Sequence, residues 1–151
     1  MRVIEAVRRS GVGIGPERTI REAAGVMEQA GVGALAIIDG EHLVGIVTDR
    51  DLVRRALACD LPPDARVDAV MTAPVVTIDA DTVLHDAFVL FRTHTVRRLA
   101  IVRGGQFVGM ITVDDLLMDL ASDLTDLARP VTAEVLFAHH DSPVPAPVVT
   151  G

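Results

Sequence analysis

Apolar residues along this chain fall into short runs and helical stripes that follow each other in a fixed order. The near-continuous runs 34–38 and 43–48 read as strands, and Asp39-Gly40 between them is a hairpin signal. Before them, residues 19–30 place apolar side chains at helical spacing, and a shorter apolar stretch at 12–14 reads as a first strand. A closing helix is expected to open at Asp49. The same order then returns: a strand over 75–78, a helix over 83–93, and strands over 98–102 and 107–112 joined across Gly104-Gly105. A last helix opens at Val113. Strands this continuously apolar suit a sheet covered by helices on at least one face.

The recurrence is a sequence repeat as well as a pattern. Shifted by 64 residues without a gap, Arg2-Val3 falls on Arg66-Val67 and Leu35-Ala36-Ile37 on Leu99-Ala100-Ile101. In the same register Val44-Gly45-Ile46-Val47-Thr48 falls on Val108-Gly109-Met110-Ile111-Thr112, and Asp51-Leu52 on Asp115-Leu116. So many identities in one register, gathered at strand ends and turns, mark two copies of one unit. The expected division is 1–62, 65–125 and a tail, 129–151, with Pro62-Pro63 breaking the chain between the copies. The fold class is α+β with α/β-like units of order β-α-β-β-α. In the tail, the alternation over 131–137 suggests one added strand, and the Pro-rich end from Asp141 reads as extended or disordered.

Surplus apolar surface remains on the later helices. Phe88 and Phe91 beside Leu90, and the stripe Leu116, Leu117, Leu120, Leu124 and Leu127, exceed what one small unit covers. Association of the copies, and of two chains as a homodimer, is the expected outlet.

Composition narrows the chemistry. Half the residues are apolar, yet no apolar run approaches the ~20 residues of a membrane-spanning helix. The chain reads as soluble and cytoplasmic, with no secretory leader. All 14 basic residues are arginine, so Schiff-base chemistry and a P-loop lysine are unavailable. A net charge of −7 argues against nucleic acid as the main partner. The single cysteine, Cys59, excludes an internal disulfide and reads as an ordinary half-buried thiol.

Two segments carry candidate chemistry: Gly45-Ile46-Val47-Thr48-Asp49-Arg50-Asp51 and Gly109-Met110-Ile111-Thr112-Val113-Asp114-Asp115. Both are G-h-h-T-x-x-D at a strand-to-helix corner. One reading is structural, because a threonine N-cap with an acidic partner three residues on satisfies orphan amides. The other is a ligand site. A helix N-terminus and a hydroxyl suit a phosphate, and an aspartate one turn in can accept ribose hydroxyls.

Those motifs, with "VGALAIID…LVGIVTDRDL" followed by "HTVRRLAIV…FVGMITVDDL", resemble the tandem CBS (cystathionine-β-synthase) domain family over roughly residues 1–125. The resemblance implies a pseudo-twofold pair of repeats with two clefts that hold AMP, ADP, ATP or S-adenosylmethionine, and no required cofactor or metal. Thr48 and Thr112 correspond to the family's phosphate-contacting threonine, and Asp51 and Asp115 to its ribose-binding aspartate. Arg97 and Arg98, opening a strand, correspond to residues that reach the phosphate, and Val75, Val76 and Thr77 to a wall of the base pocket. The function implied is a regulatory or sensor module without catalysis of its own, acting on a regulated protein that the sequence does not identify. The alternative is an unliganded interaction or dimerisation module. An enzyme is disfavoured: His85 and His94 lie nine apart, not at metal-pair spacing, and Asp114, Asp115 and Asp119 read as a solvated helix face.

The repeats differ where charge matters. Arg50 has Asp114 as its counterpart, and Arg97 and Arg98 have Gly33 and Ala34. The expectation is that these three arginines gather in the cleft of Asp51, making the two clefts unequal. His94 is a further candidate beside Arg97.

Overall fold

The computed structural model describes residues 1–8 and 11–138. The chain forms two compact units, Met1–Leu116 and Leu117–Gly151. In the first unit the two repeats build matching three-stranded sheets. β1 (Gly13–Ile14), α1 (Ile20–Ala30), β2 (Ala34–Asp39) and β3 (His42–Thr48) make the first, with β1 parallel and β3 antiparallel to β2. α2 (Asp49–Asp51) follows and runs on as a π turn (Leu52–Ala56) and a 3-10 turn (Leu57–Cys59). β4 (Thr77–Asp79), α3 (Leu84–His94), β5 (Arg98–Arg103) and β6 (Gln106–Thr112) repeat the order before α4 (Val113–Ala138). Even the irregularities correspond, since the β2/β3 register shifts after Ile37 and the β5/β6 register after Ile101.

Local sequence sets the helix ends. Thr19 caps α1: its Oγ1 accepts the Glu22 amide at 3.1 Å and the Glu22 carboxylate accepts the Thr19 amide at 2.8 Å. Gly31 ends that helix at φ 63°, where a left-handed residue costs glycine little. Its counterpart Thr95 ends α3 at φ 52°, an unfavourable place for a β-branched residue.

Each repeat completes the other's core. The 3-10 turn Val3–Ala6 leads the first repeat in sequence, yet Val3 and Ala6 are buried with Leu99, Ile101 and Ile111 of the second. Reciprocally, Val67 and Val70 are buried with Leu35, Ile37 and Val47 of the first. Backbone hydrogen bonds fix the exchange in equivalent pairs. The Val3 amide donates to Thr82 at 2.9 Å and the Val67 amide to Arg18 at 2.7 Å, while Leu84 donates to Met1 at 3.0 Å and Ile20 to Ala65 at 2.9 Å. Two small sheets thereby bury two cores that neither could close alone.

Four expectations need correction. Residues 131–137 are helical, within α4, rather than an added strand. Their alternation also places Val131 and Val135 four apart, as a helix requires, and the helix passes through Pro130 at the loss of one N–H donor. Phe91 is not surplus surface: at 8% exposure it belongs to the second core, with Phe88 packed against it. Cys59 is exposed rather than half-buried. Leu117, Leu120, Leu124 and Leu127 are exposed as expected, whereas Leu116 is buried. The Pro-rich end from Asp141 lies outside the described residues. Among the described residues no helix is long and apolar enough to cross a membrane.

Candidate functional site: a cleft between the repeats

Both G-h-h-T-x-x-D segments form the same corner. Thr48 closes β3 and caps α2; its Oγ1 accepts the Asp51 amide at 3.1 Å, and Asp51 Oδ2 accepts the Thr48 amide at 3.0 Å. Thr112 and Asp115 repeat those two bonds at 3.1 and 3.0 Å, and the Thr112 hydroxyl also donates to Asp115 Oδ2 at 2.9 Å. The structural role of the motif is therefore filled in both copies. It leaves Asp51 Oδ1 outside the cap, and the Asp51 side chain is only 17% exposed.

The signature glycine has a packing reason. The linker between the repeats crosses β3, with Thr72 paired to Ile46 through bonds of 3.0 and 2.7 Å. A Cβ on Gly45 would run into the Met71 side chain and sit 3.2 Å from the Thr72 carbonyl oxygen. A side chain at Gly45 would have to displace Met71 and press the linker back by a few tenths of an ångström, whereas its counterpart Gly109 has only ordinary contact, at 3.5 Å from Val7. Beyond Thr72 the linker continues to Val76, whose carbonyl accepts the Ala100 amide at 3.2 Å. A wall from the linker is thus set beside the first corner.

The result is a cleft of about 230 Å³. Ile46, Thr48 and Asp51 line it from the first repeat, Thr72, Pro74, Val75 and Val76 from the linker, and Val96, Arg97 and Arg98 from the opening of β5. It joins a carboxylate and a hydroxyl from one repeat, an apolar wall, and two guanidinium groups from the other repeat. Arg98 reaches across to the first repeat, its Nη2 lying 3.6 Å from where a Gly33 Cβ would stand. Arg97 is more exposed and forms a 3.7 Å ion pair with Asp114 at the other corner. An ion pair so open to water adds little stability, so Arg97 is easily drawn to another anion.

The structure brings together Thr48, Asp51, Val75, Val76, Arg97 and Arg98 from the residues singled out in the sequence. Two of the three arginines expected beside Asp51 line its cleft. The third, Arg50, is exposed and is not among the lining residues, and neither are Thr77 or His94. Thr112 and Asp115 belong to the equivalent second corner, whose linker-like segment, 8–12, includes residues 9 and 10 outside the described set. Sequence reasoning missed Ile46, Thr72, Pro74 and Val96. Their only signal was position, on the signature strand, the linker and the α3–β5 corner. Among the described residues no group of three His, Cys, Asp or Glu side chains could hold a metal ion.

Comparison with known proteins bears on the two-repeat fold that carries this cleft. The CBS domain family model matches twice, at residues 4–58 and 67–122. The chain is 34% identical over 128 residues to the uncharacterised protein YlbB of Bacillus subtilis, covering 80% of this chain and 86% of that one. The crystal structure of CBS domain NE2398 superimposes with a TM-score of 0.72 at 28% identity, covering 80% of this chain and 98% of that one. A CBS domain protein of Pyrobaculum aerophilum complexed with AMP superimposes with a TM-score of 0.70 at 27% identity, covering 81% and 99%. With two repeats, two matching sheets and both signature corners in place, this chain belongs to the CBS domain family as a tandem pair.

Proposed function

We propose that the chain is a regulatory module that binds an adenine nucleotide in the cleft of Thr48 and Asp51, without catalysis of its own. The observation that carries this reading is the meeting of Asp51 with Arg97 and Arg98 across one partly apolar cleft. Asp51 Oδ1 would accept ribose hydroxyls, the two arginines would hold phosphate oxygens in charge-assisted bonds, and Val75 and Val76 would flank the base. The AMP complex of the Pyrobaculum aerophilum relative supports the ligand class. Two cations favour AMP, ADP or ATP over S-adenosylmethionine, whose sulfonium they repel. Calorimetric melting tests this, since the chain lacks the Trp and Tyr needed for a fluorescence readout. A nucleotide at 100 times its dissociation constant should add ~2.7 kcal/mol of stability. Melts unchanged by AMP, ADP, ATP and S-adenosylmethionine alike would overturn the reading.

A second reading, self-association, rests on apolar exposure. An apolar groove of about 300 Å³ runs between α1 and the turns after α2, beside exposed Val53 and Leu57. Leu117, Leu124 and Leu127 on α4 are exposed by more than half. Sedimentation at micromolar concentration should give about twice the 16.1 kDa chain mass for an isologous dimer. A monomer would contradict it.

A further inference from the structure

We propose that Arg55 is a positioning residue of the cleft, holding the Asp51 carboxylate and the linker wall in fixed relation. This rests on the nucleotide reading above. Arg55 is not a lining residue of the cleft; it stands behind it. Its Nη1 donates to the Met71 carbonyl at 3.1 Å and lies 3.4 Å from both the Val70 carbonyl and Thr72 Oγ1. Its Nε lies 3.8 Å from Asp51 Oδ1. One planar guanidinium therefore ties the corner that carries Asp51 to the segment that becomes the opposite wall at Thr72.

The Asp51 contact is too long for a hydrogen bond yet close enough for charge to matter. Oδ2 is held by the Thr48 amide, so Oδ1 faces Arg55 with its lone pairs still open to a further donor. That is the state in which a carboxylate best receives ribose hydroxyls: oriented, charge-balanced and not yet spent. Arg55 sits in the π turn Leu52–Ala56, a local widening of the helix of the kind that gathers at functional sites. The other repeat carries no such arginine. The residue equivalent to Arg55 is Asp119, so any positioning of Asp115 must be achieved differently.

The test compares AMP with 2′-deoxy-AMP by titration calorimetry on the full chain. Wild type should bind AMP more tightly, because the deoxy ligand leaves Asp51 without one partner. In Arg55→Ala, AMP affinity should fall about tenfold, equivalent to ~1.4 kcal/mol, while deoxy-AMP affinity falls less, so the preference collapses toward one. A role confined to holding the fold would weaken both ligands equally and leave the preference intact. Arg55→Gln, which keeps an N–H for Met71 but no charge for Asp51, should collapse it too, and serves if the alanine variant fails to fold. Arg55→Lys, which keeps the charge, should restore part of the preference. An unchanged preference in both Arg55→Ala and Arg55→Gln overturns this inference alone. A wild type that binds neither ligand overturns the nucleotide reading, and this inference with it.

Discussion

The double variant Arg97→Ala/Arg98→Ala is expected to lose AMP affinity by about two orders of magnitude. Each charge-assisted bond to a phosphate contributes ~1.5–3 kcal/mol, and tenfold in affinity is ~1.4 kcal/mol. Water screens Arg97, whose side chain is 76% exposed, and its ion pair with Asp114 competes for it, so Arg98 should account for most of the loss. Adenosine has no phosphate and uses only Asp51 and the apolar wall. Its affinity should change little in the same variant. Titration with both ligands separates the two contributions. An equal loss for adenosine would mean that the arginines support the shape of the cleft rather than a phosphate.

Leu35→Ala and Leu99→Ala should each destabilise the fold by ~2–5 kcal/mol, the range for large-to-small changes in a packed core. Both side chains are fully buried at equivalent places in the two cores. Because Val3 and Ala6 close one core while Val67 and Val70 close the other, damage to either is shared. Both variants should therefore melt in one transition, lowered by roughly 2–4 °C for each kcal/mol in a chain of this size. Two separate transitions, with only the mutated repeat affected, would contradict reciprocal closure of the cores.

What the sequence revealed was local. The register that lays Thr48-x-x-Asp51 on Thr112-x-x-Asp115, the hairpin turns and the caps depend on neighbours a few residues apart, and the structure has them where the pattern placed them. What it concealed was mostly non-local. Nothing near Val3 or Val67 says that each packs into the opposite repeat, because that choice is made by the partner's exposed core. Phe91 reads as surplus until the 3-10 turn Val3–Ala6 is known to lie over the same core. The stretch 131–137 fits two periods at once, and seven residues are too few to choose between them. Arg55 follows Asp51 by four residues and reads as one more surface ion pair; only the linker passing beside it gives it a second set of partners. Arg97 and Arg98 were recognisable as an asymmetry between the repeats, but which cleft they enter is a property of packing.

The most direct measurement of the central claim is titration calorimetry of AMP into the full chain, beside Asp51→Ala and Asp115→Ala. The cleft of Asp51 gathers Arg97 and Arg98, whereas the corner of Asp115 has Gly33 and Ala34 at the corresponding positions and Asp114 in place of Arg50. The result predicted is about one tight site per chain, kept in Asp115→Ala and lost in Asp51→Ala. No binding to the wild type, or tight binding that survives Asp51→Ala, would contradict the account.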